Sequence, residues 1–318
     1  MTMRAITITA DHRLERGEIP EPVAAPGEVL VDVVAAGVNR ADVAQAAGKY
    51  PPPPGASELP GLEVSGHRRD TGEPVLALLA GGGYAEVVAV PEGQLLPAPK
   101  GIDLTDAAGL IEVCATVVSN LVIEGGLSEG QTVLIHGGTG GIGTTAIQLA
   151  RELGARVLTT VGSDAAITRV RDLGADIAWN RRTTELREVV LEAGGADVIL
   201  DIVGGPMLAD NVAMLRQHGR LVIIGTLGGA DGELPVGALM GKRARVIGTT
   251  LRSRPTAEKA EILERTRELV WPLLTSGRLR IPVHARLPLE RAAEAHAILR
   301  EGGHLGKVVL EVAAASDG

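Results

Sequence analysis

The stretch Val133–Ala150, VLIHGGTGGIGTTAIQLA, joins an apolar β segment to an amphipathic helix through a cluster of glycines. Five further β segments follow: RVLTTV, DIAW, DVILDIV, RLVIIG and RVIGTT. Helical patterns lie between most of them, namely AAITRVRDLG, TTELREVVLEAG and MLADNVAMLRQHG. Strands alternating with helices need crossover connections, so the series predicts an α/β fold with a doubly wound parallel sheet. DVILDIV is apolar almost throughout, as a strand covered on both faces should be.

Gly138, Gly140 and Gly143 fit G-x-G-x-x-G between strand and helix. The first glycine permits the turn, the second lets backbone approach a phosphate, and the third lets helix pack on strand. Gly141 and Ile142 complete the turn, and the helix N-terminus supplies free N–H groups and a positive dipole end. A purely structural turn is the competing reading. Position at strand one of a six-strand series favours a dinucleotide. At the tip of the second strand, TTVGSD, an acid would bind the ribose of NAD. Here stand Gly162 and Ser163. Ser163 suits a 2′-phosphate, and Arg169, Arg181 or Arg182 suits its charge, although each arginine alone also fits a solvated surface. Asp164 argues the other way. NADPH is favoured over NADH.

Up to Pro99 the texture is different, with short β segments (EVLVDVVAAGV, PVLALLA, GYAEVVAV) between Pro and Gly. YPPPPGASELPG must be a stiff, irregular connection, because proline lacks the donor and fixes φ. TDAAGLIEVCATVVSNLVIEG reads as one long apolar helix with Thr105 as its cap. After Ser276 the pattern is strand, helix, strand, and the tail AAASDG is expected to fray. The expected divisions are 1–118, 119–260 and 261–318.

The net charge of -8 and the lack of a basic stripe exclude nucleic acid and anionic membrane as expected partners. One cysteine, Cys114, forbids an intrachain disulfide or a cysteine-built zinc site, and reads as a buried structural thiol. The first twenty residues carry charges throughout, which predicts neither a secretory signal nor a membrane span, and a cytoplasmic location. With no Phe and two Tyr, a site needing a phenolic hydroxyl has only Tyr50 and Tyr84 to draw on.

The stretches GVNRADVAQAAGKYPPPPGASELPGLEVSG, GGYAEVVAV, LIHGGTGGIGTTAIQLA, LDIVGG, LRSR and GKVVLEV occur together in this order. In them the chain resembles the medium-chain dehydrogenase/reductase superfamily, and within it the zinc-free NAD(P)H:quinone oxidoreductases of the p53-inducible subgroup. The resemblance implies a GroES-like β-rich catalytic domain plus a Rossmann dinucleotide-binding domain. It also implies a homodimer paired along the edge strand near Val246 to Thr250. Zinc-dependent relatives carry cysteine where this chain has Asn39, and G-H-E where it has Gly61, Leu62 and Glu63. No metal is therefore expected.

By the same resemblance Asn39 and Thr116 lie near the cofactor, and Tyr50 is the pocket tyrosine. Gly225, Thr226 and Leu227 line the nicotinamide side, as do Leu251 and Arg252, and Gly306 and Lys307 approach from the tail. Ala166 stands where relatives often have a phosphate-binding lysine, Arg181 where they often have tyrosine, and Cys114 where they often have tryptophan. His67 and His136 receive no role. The implied function is metal-independent hydride transfer from NADPH to quinones. Reduction of an activated C=C bond in an enone or enoyl thioester is the first alternative, and a non-catalytic NADPH-binding protein the second.

Overall fold

A computed structural model describes residues 1–312; the tail AAASDG lies outside the described residues. Contacts divide the chain into two compact units, one of Met1–Ala115 with Leu251–Gly318, the other of Thr116–Thr250. The breaks thus fall after residues 115 and 250, where the sequence suggested 118 and 260. Leu251 and Arg252 therefore group with the first unit.

The 116–250 unit is a six-stranded sheet. Its strands are Thr132–Ile135, Arg156–Val161, Ile177–Asn180, Ala196–Asp201, Leu215–Ile223 and Arg245–Gly248. All neighbours pair in parallel, in the spatial order third, second, first, fourth, fifth, sixth. The order reverses between the first and fourth strands, where doubly wound sheets bind their ligands. Val133, Leu134, Ile135, Val198, Ile199 and Leu200 are fully buried, so both faces of these strands are covered. The helix expected over MLADNVAMLRQHG is shorter than its pattern and spans Leu208–Met214. The helix ends where Leu215 turns extended (φ -64°, ψ 145°), and the fifth strand begins there, with His218 inside it at a left-handed φ of 61°.

In the other unit the long strand Glu28–Val38 is central. It pairs antiparallel with Glu63–Arg68, with Val87–Pro91, and with the C-terminal strand Lys307–Glu311. The tail thus returns to the N-terminal sheet, and Val283–Pro288 adds to its edge. Tyr84, Val31, Val64, Val90, Val308 and Leu310 fill one core. Each such side chain contributes about 1.5–3 kcal/mol on burial. The proline-rich segment forms neither helix nor strand.

The long apolar helix is instead two shorter ones, Leu104–Ala107 and Ile111–Val117, followed by π-helical turns over Val118–Glu124. Its cap is Asp103 rather than Thr105: the carboxylate accepts from the Thr105 N–H at 2.9 Å. By length and composition Leu104–Glu124 would cross a membrane, yet 78% of its apolar window is buried inside the protein, as in a core helix.

Candidate active site

In the 116–250 unit the glycine turn follows the first strand and opens the helix Gly141–Glu152. Each glycine has a separate reason. The left-handed turn sits at Gly137 (φ 78°), one residue before the motif. Gly138 is small because a Cβ would stand 2.5 Å from Thr159 Oγ1 of the second strand. A Cβ on Gly143 would lie 2.6 Å from Gly138 Cα and against the Gly137 carbonyl, so only glycine lets the helix pack here. Gly140, the helix N-cap, faces open space. The first intrahelical bond runs from Thr144 N–H to Gly140 C=O at 2.9 Å. Gly141, Ile142 and Gly143 thus keep N–H groups without an intrahelical acceptor. An open N-cap with three such donors fits the pyrophosphate of a dinucleotide.

At the tip of the second strand Arg181 covers Gly162: a Cβ there would meet its Nη1 at 3.1 Å. Ser163 and Arg181 are both exposed, so this tip presents a hydroxyl and a guanidinium. Asp164 is turned to Asn180, whose Nδ2 donates to it at 2.9 Å. Ala166 is buried and Arg169 points to solvent. Gly225, Thr226 and Leu227 follow the fifth strand in a loop fixed by the bond from Leu227 N–H to Ile202 C=O, and Leu227 remains exposed. Thr116 is buried, and its carbonyl accepts from Asn120 Nδ2.

His136 is a core residue of this unit. Its Nε2 lies 2.8 Å from Asn211 Oδ1, and burial pushes its pKa down. His67 is on the surface, against the Gly72 carbonyl. Cys114 is buried, and burial pushes its thiol pKa well up.

The first unit works through side chains. Lys307 is 3% exposed and Glu63 is fully buried. Lys307 Nζ donates to Glu63 Oε1 at 2.7 Å, to Asn39 Oδ1 at 2.6 Å and to the Val38 carbonyl at 2.9 Å. An ammonium has three protons, so its donors are committed and it positions Asn39. Asn39 Nδ2 in turn donates to Glu63 Oε1 at 2.9 Å. Gly306, with φ 82° and no room for a Cβ beside the Pro282 carbonyl, sets Lys307 in place.

Beside this network Asp42 is fully buried and accepts from the N–H groups of Asn39 and Gly61. Burial pushes its pKa up to about 6. Tyr84 donates its hydroxyl proton to Asp42 Oδ2, and its oxygen lies against His296 Nε2, both at 3.2 Å. Burial lowers the His296 pKa to about 4. With Tyr84 engaged, Tyr50 is the other phenol of the chain. It is half-buried, and burial raises its pKa, so it is a neutral donor at pH 7.

Arg252 holds Tyr50. Its guanidinium sits 5.3 Å from the Tyr50 ring centroid and donates to Ala80 C=O, Tyr50 C=O and Gln45 Oε1. Arg252 therefore braces the pocket wall. A small cavity of about 10 Å³ lies here, lined by Leu62, Leu78, Leu79, Glu112, Leu251, Arg252 and Lys259. Sequence reasoning missed Lys259 and the Asp42–Tyr84–His296 group. Asp42 and His296 are polar residues among alanines, a pattern that surface positions share, and Lys259 lies among other charged residues, so neither carries a distinguishing signal.

Among the described residues no group of three or more His, Cys, Asp or Glu side chains is placed to hold a metal ion. Asn39 and Leu62, at the positions where zinc-dependent relatives have ligands, do not form a zinc donor set.

Residues 25–100 match the family described as alcohol dehydrogenase GroES-like domain, and residues 141–267 that described as zinc-binding dehydrogenase. The quinone oxidoreductase of Lama guanicoe is 30% identical over 313 residues, spanning 93% of this chain and 92% of its own. The quinone oxidoreductase from Thermus thermophilus, whose structures include a complex with NADPH, superposes with a TM-score of 0.86 at 32% identity, over 98% of this chain and 100% of that one. An NAD-dependent alcohol dehydrogenase superposes at 0.84 with 29% identity, over 98% and 100%. The chain belongs to the medium-chain dehydrogenase/reductase superfamily, in its quinone oxidoreductase family, and is an oxidoreductase.

Proposed function

We propose that the protein reduces quinones with NADPH and without a metal. The observation that carries the reading is the pairing, within one unit, of an open glycine-lined helix N-terminus with a guanidinium over Gly162. NADPH supplies the hydride and the two electrons of the reaction. The N–H groups of Gly141, Ile142 and Gly143 hold its pyrophosphate, while Ser163 and Arg181 hold its 2′-phosphate. Thr116, Gly225, Thr226, Leu227, Leu251 and Asn39 are assigned to the nicotinamide side. Asn39 enters with its amide fixed by Glu63 and Lys307.

Tyr50 orients the acceptor oxygen, and its place on Arg252 fixes the ring. A quinone needs no Lewis acid, because delocalisation stabilises the charge that hydride arrival creates. Acceleration then comes from positioning and exclusion of water. The relatives named quinone oxidoreductases support this acceptor class. The protein is further proposed to dimerise along its sixth strand, Arg245–Gly248, at the sheet edge near exposed Val236 and Met240. Light scattering tests that point.

Fluorescence titration with NADPH and NADH, then turnover of an ortho-quinone beside an enone, tests the reading. NADPH should bind more tightly, Arg181→Ala should erase most of the preference, and the quinone should be the faster substrate. Tighter NADH binding would overturn the cofactor assignment. A faster enone would move the function to C=C reduction, and tight NADPH binding without turnover of any acceptor would leave a binding protein.

A further inference from the structure

We propose that Lys259 is a catalytic residue of this oxidoreductase: its ammonium receives the acceptor's oxygen in the cavity over Leu62 and gives it a proton. The proposal rests on the quinone-reductase reading above.

Two lysines of the first unit are almost wholly buried, and they are treated in opposite ways. Lys307 is 3% exposed and has three acceptors. Lys259 is 5% exposed, on the first turn of the helix Thr256–Thr275, and among the described residues its ammonium has no hydrogen-bond or ion-pair partner. Lysines are almost never buried this far unless paired. The Lys259 side chain is thus mostly buried while its ammonium, unpartnered and outside the set of fully enclosed polar atoms, faces open space, where it can meet a charge that is present only during reaction.

The cavity gives that charge a place. Its volume of about 10 Å³ has room for a single oxygen-sized atom. Leu62, Leu78, Leu79 and Leu251 form apolar walls. The charged lining is Glu112, Arg252 and Lys259. Arg252 directs Nε, Nη1 and Nη2 to fixed acceptors in the wall, whereas Lys259 keeps its protons to give. Burial and the neighbouring Arg252 both lower the Lys259 pKa, which makes it a better acid than a surface lysine. Arg252 also carries Tyr50 on its face, so the phenol and the ammonium belong to one neighbourhood.

The quinone takes a hydride, and with it two electrons, from the reduced nicotinamide and becomes the hydroquinone monoanion. One Nζ–H bond of Lys259 breaks as the O–H bond forms. The neutral amine then regains a proton from water. Lys259 thereby neutralises the oxygen.

Lys259→Met and Lys259→Arg test the assignment. Four measurements are needed: kcat/KM with phenanthrenequinone, NADPH affinity, thermal unfolding, and the absorbance of added para-nitrophenol. Lys259→Met should lower kcat/KM by about 100-fold. NADPH affinity should not change, Tm should hold or rise, and Lys259→Arg should recover part of the rate. Unchanged kcat/KM overturns the proposal. So does a loss of rate accompanied by lower Tm or weaker NADPH binding, which would make Lys259 structural. If the wild-type protein binds NADPH but reduces no quinone, the functional reading fails, and para-nitrophenol judges Lys259 separately. An ammonium in the cavity should stabilise bound phenolate in the wild type and not in Lys259→Met. Identical spectra for the two would refute the site.

Discussion

The two units make their sites from different materials. In the 116–250 unit the phosphate cradle is backbone: a helix N-terminus, three free N–H groups, and glycines whose missing Cβ atoms leave room. In the other unit the site is a set of side chains drawn from far along the chain. Asn39 meets Glu63 across 24 residues, and Lys307 meets Glu63 across 244. A backbone site is written within a few adjacent residues. A side-chain site exists only once the sheet has put Lys307–Glu311 beside Glu28–Val38. The first kind should fail through sterics, and the second through uncompensated charge.

The sharpest break comes at the glycines. Gly143→Val would drive a side chain into the backbone of Gly137 and Gly138, which cannot give way. Overpacking of this kind costs about 1–3 kcal/mol, and NADPH binding should be lost altogether. Gly140→Ala is the control, since nothing lies within 4 Å of its Cβ. It should unfold like the wild type yet bind NADPH weakly, because the new methyl occupies the proposed phosphate position. Normal NADPH affinity in Gly140→Ala would end the backbone-cradle argument.

Charge should break the other unit. Lys307→Met leaves Glu63 fully buried and unpaired, and removing one partner of a buried pair costs about 3–5 kcal/mol. Adding Glu63→Gln removes the stranded charge and should restore part of the loss. Denaturant titrations of the single and double variants measure this. Equal stability of wild type and Lys307→Met would mean that the pair is not what holds Asn39.

The same contrast explains what could be read from the sequence. The glycine turn, all six strands around it and the irregular proline segment were legible, because periodicity and backbone chemistry are local. The errors were local competitions too. Asp103 and Thr105 are both capping types two residues apart, and the carboxylate takes the cap. The left-handed residue of the glycine turn is Gly137, and the motif alone does not distinguish it from Gly138. Beyond these, the sequence is silent wherever burial decides. Lys259 sits in TAEKAEILER, which reads as a solvated helix face, and only tertiary packing closes over it. Arg252 and Lys307 matched cofactor-side positions by resemblance, but their hydrogen bonds go to their own unit.

A milder test of the side-chain unit is pH. Asp42 has a pKa raised by burial to about 6 from 3.8. The folded state therefore holds the proton more tightly, and this group's contribution is greatest below pH 4 and declines as pH rises through 6. Asp42→Asn imitates the protonated form at every pH. Relative to wild type it should gain up to about 3 kcal/mol between pH 4 and pH 7, read from unfolding free energies at each pH. A difference that stays flat across that range would show that Asp42 is ionised throughout.

The smallest effect is expected at Tyr50, where only one atom separates the competing accounts. Tyr50→Phe removes the hydroxyl but keeps the ring on Arg252, so the wall of the pocket should stand. If the phenol only orients the acceptor oxygen, its loss costs one hydrogen bond, about 1 kcal/mol, or roughly fivefold in kcat/KM. NADPH affinity should not move, because the phosphate cradle belongs to the other unit. Tyr50→Leu also removes the ring from Arg252 and should cost more, through a displaced Arg252 rather than a lost donor. Equal rates for wild type and Tyr50→Phe would leave Tyr50 as packing for Arg252. A loss beyond about 100-fold would instead make the phenol the proton donor, in the role argued above for Lys259.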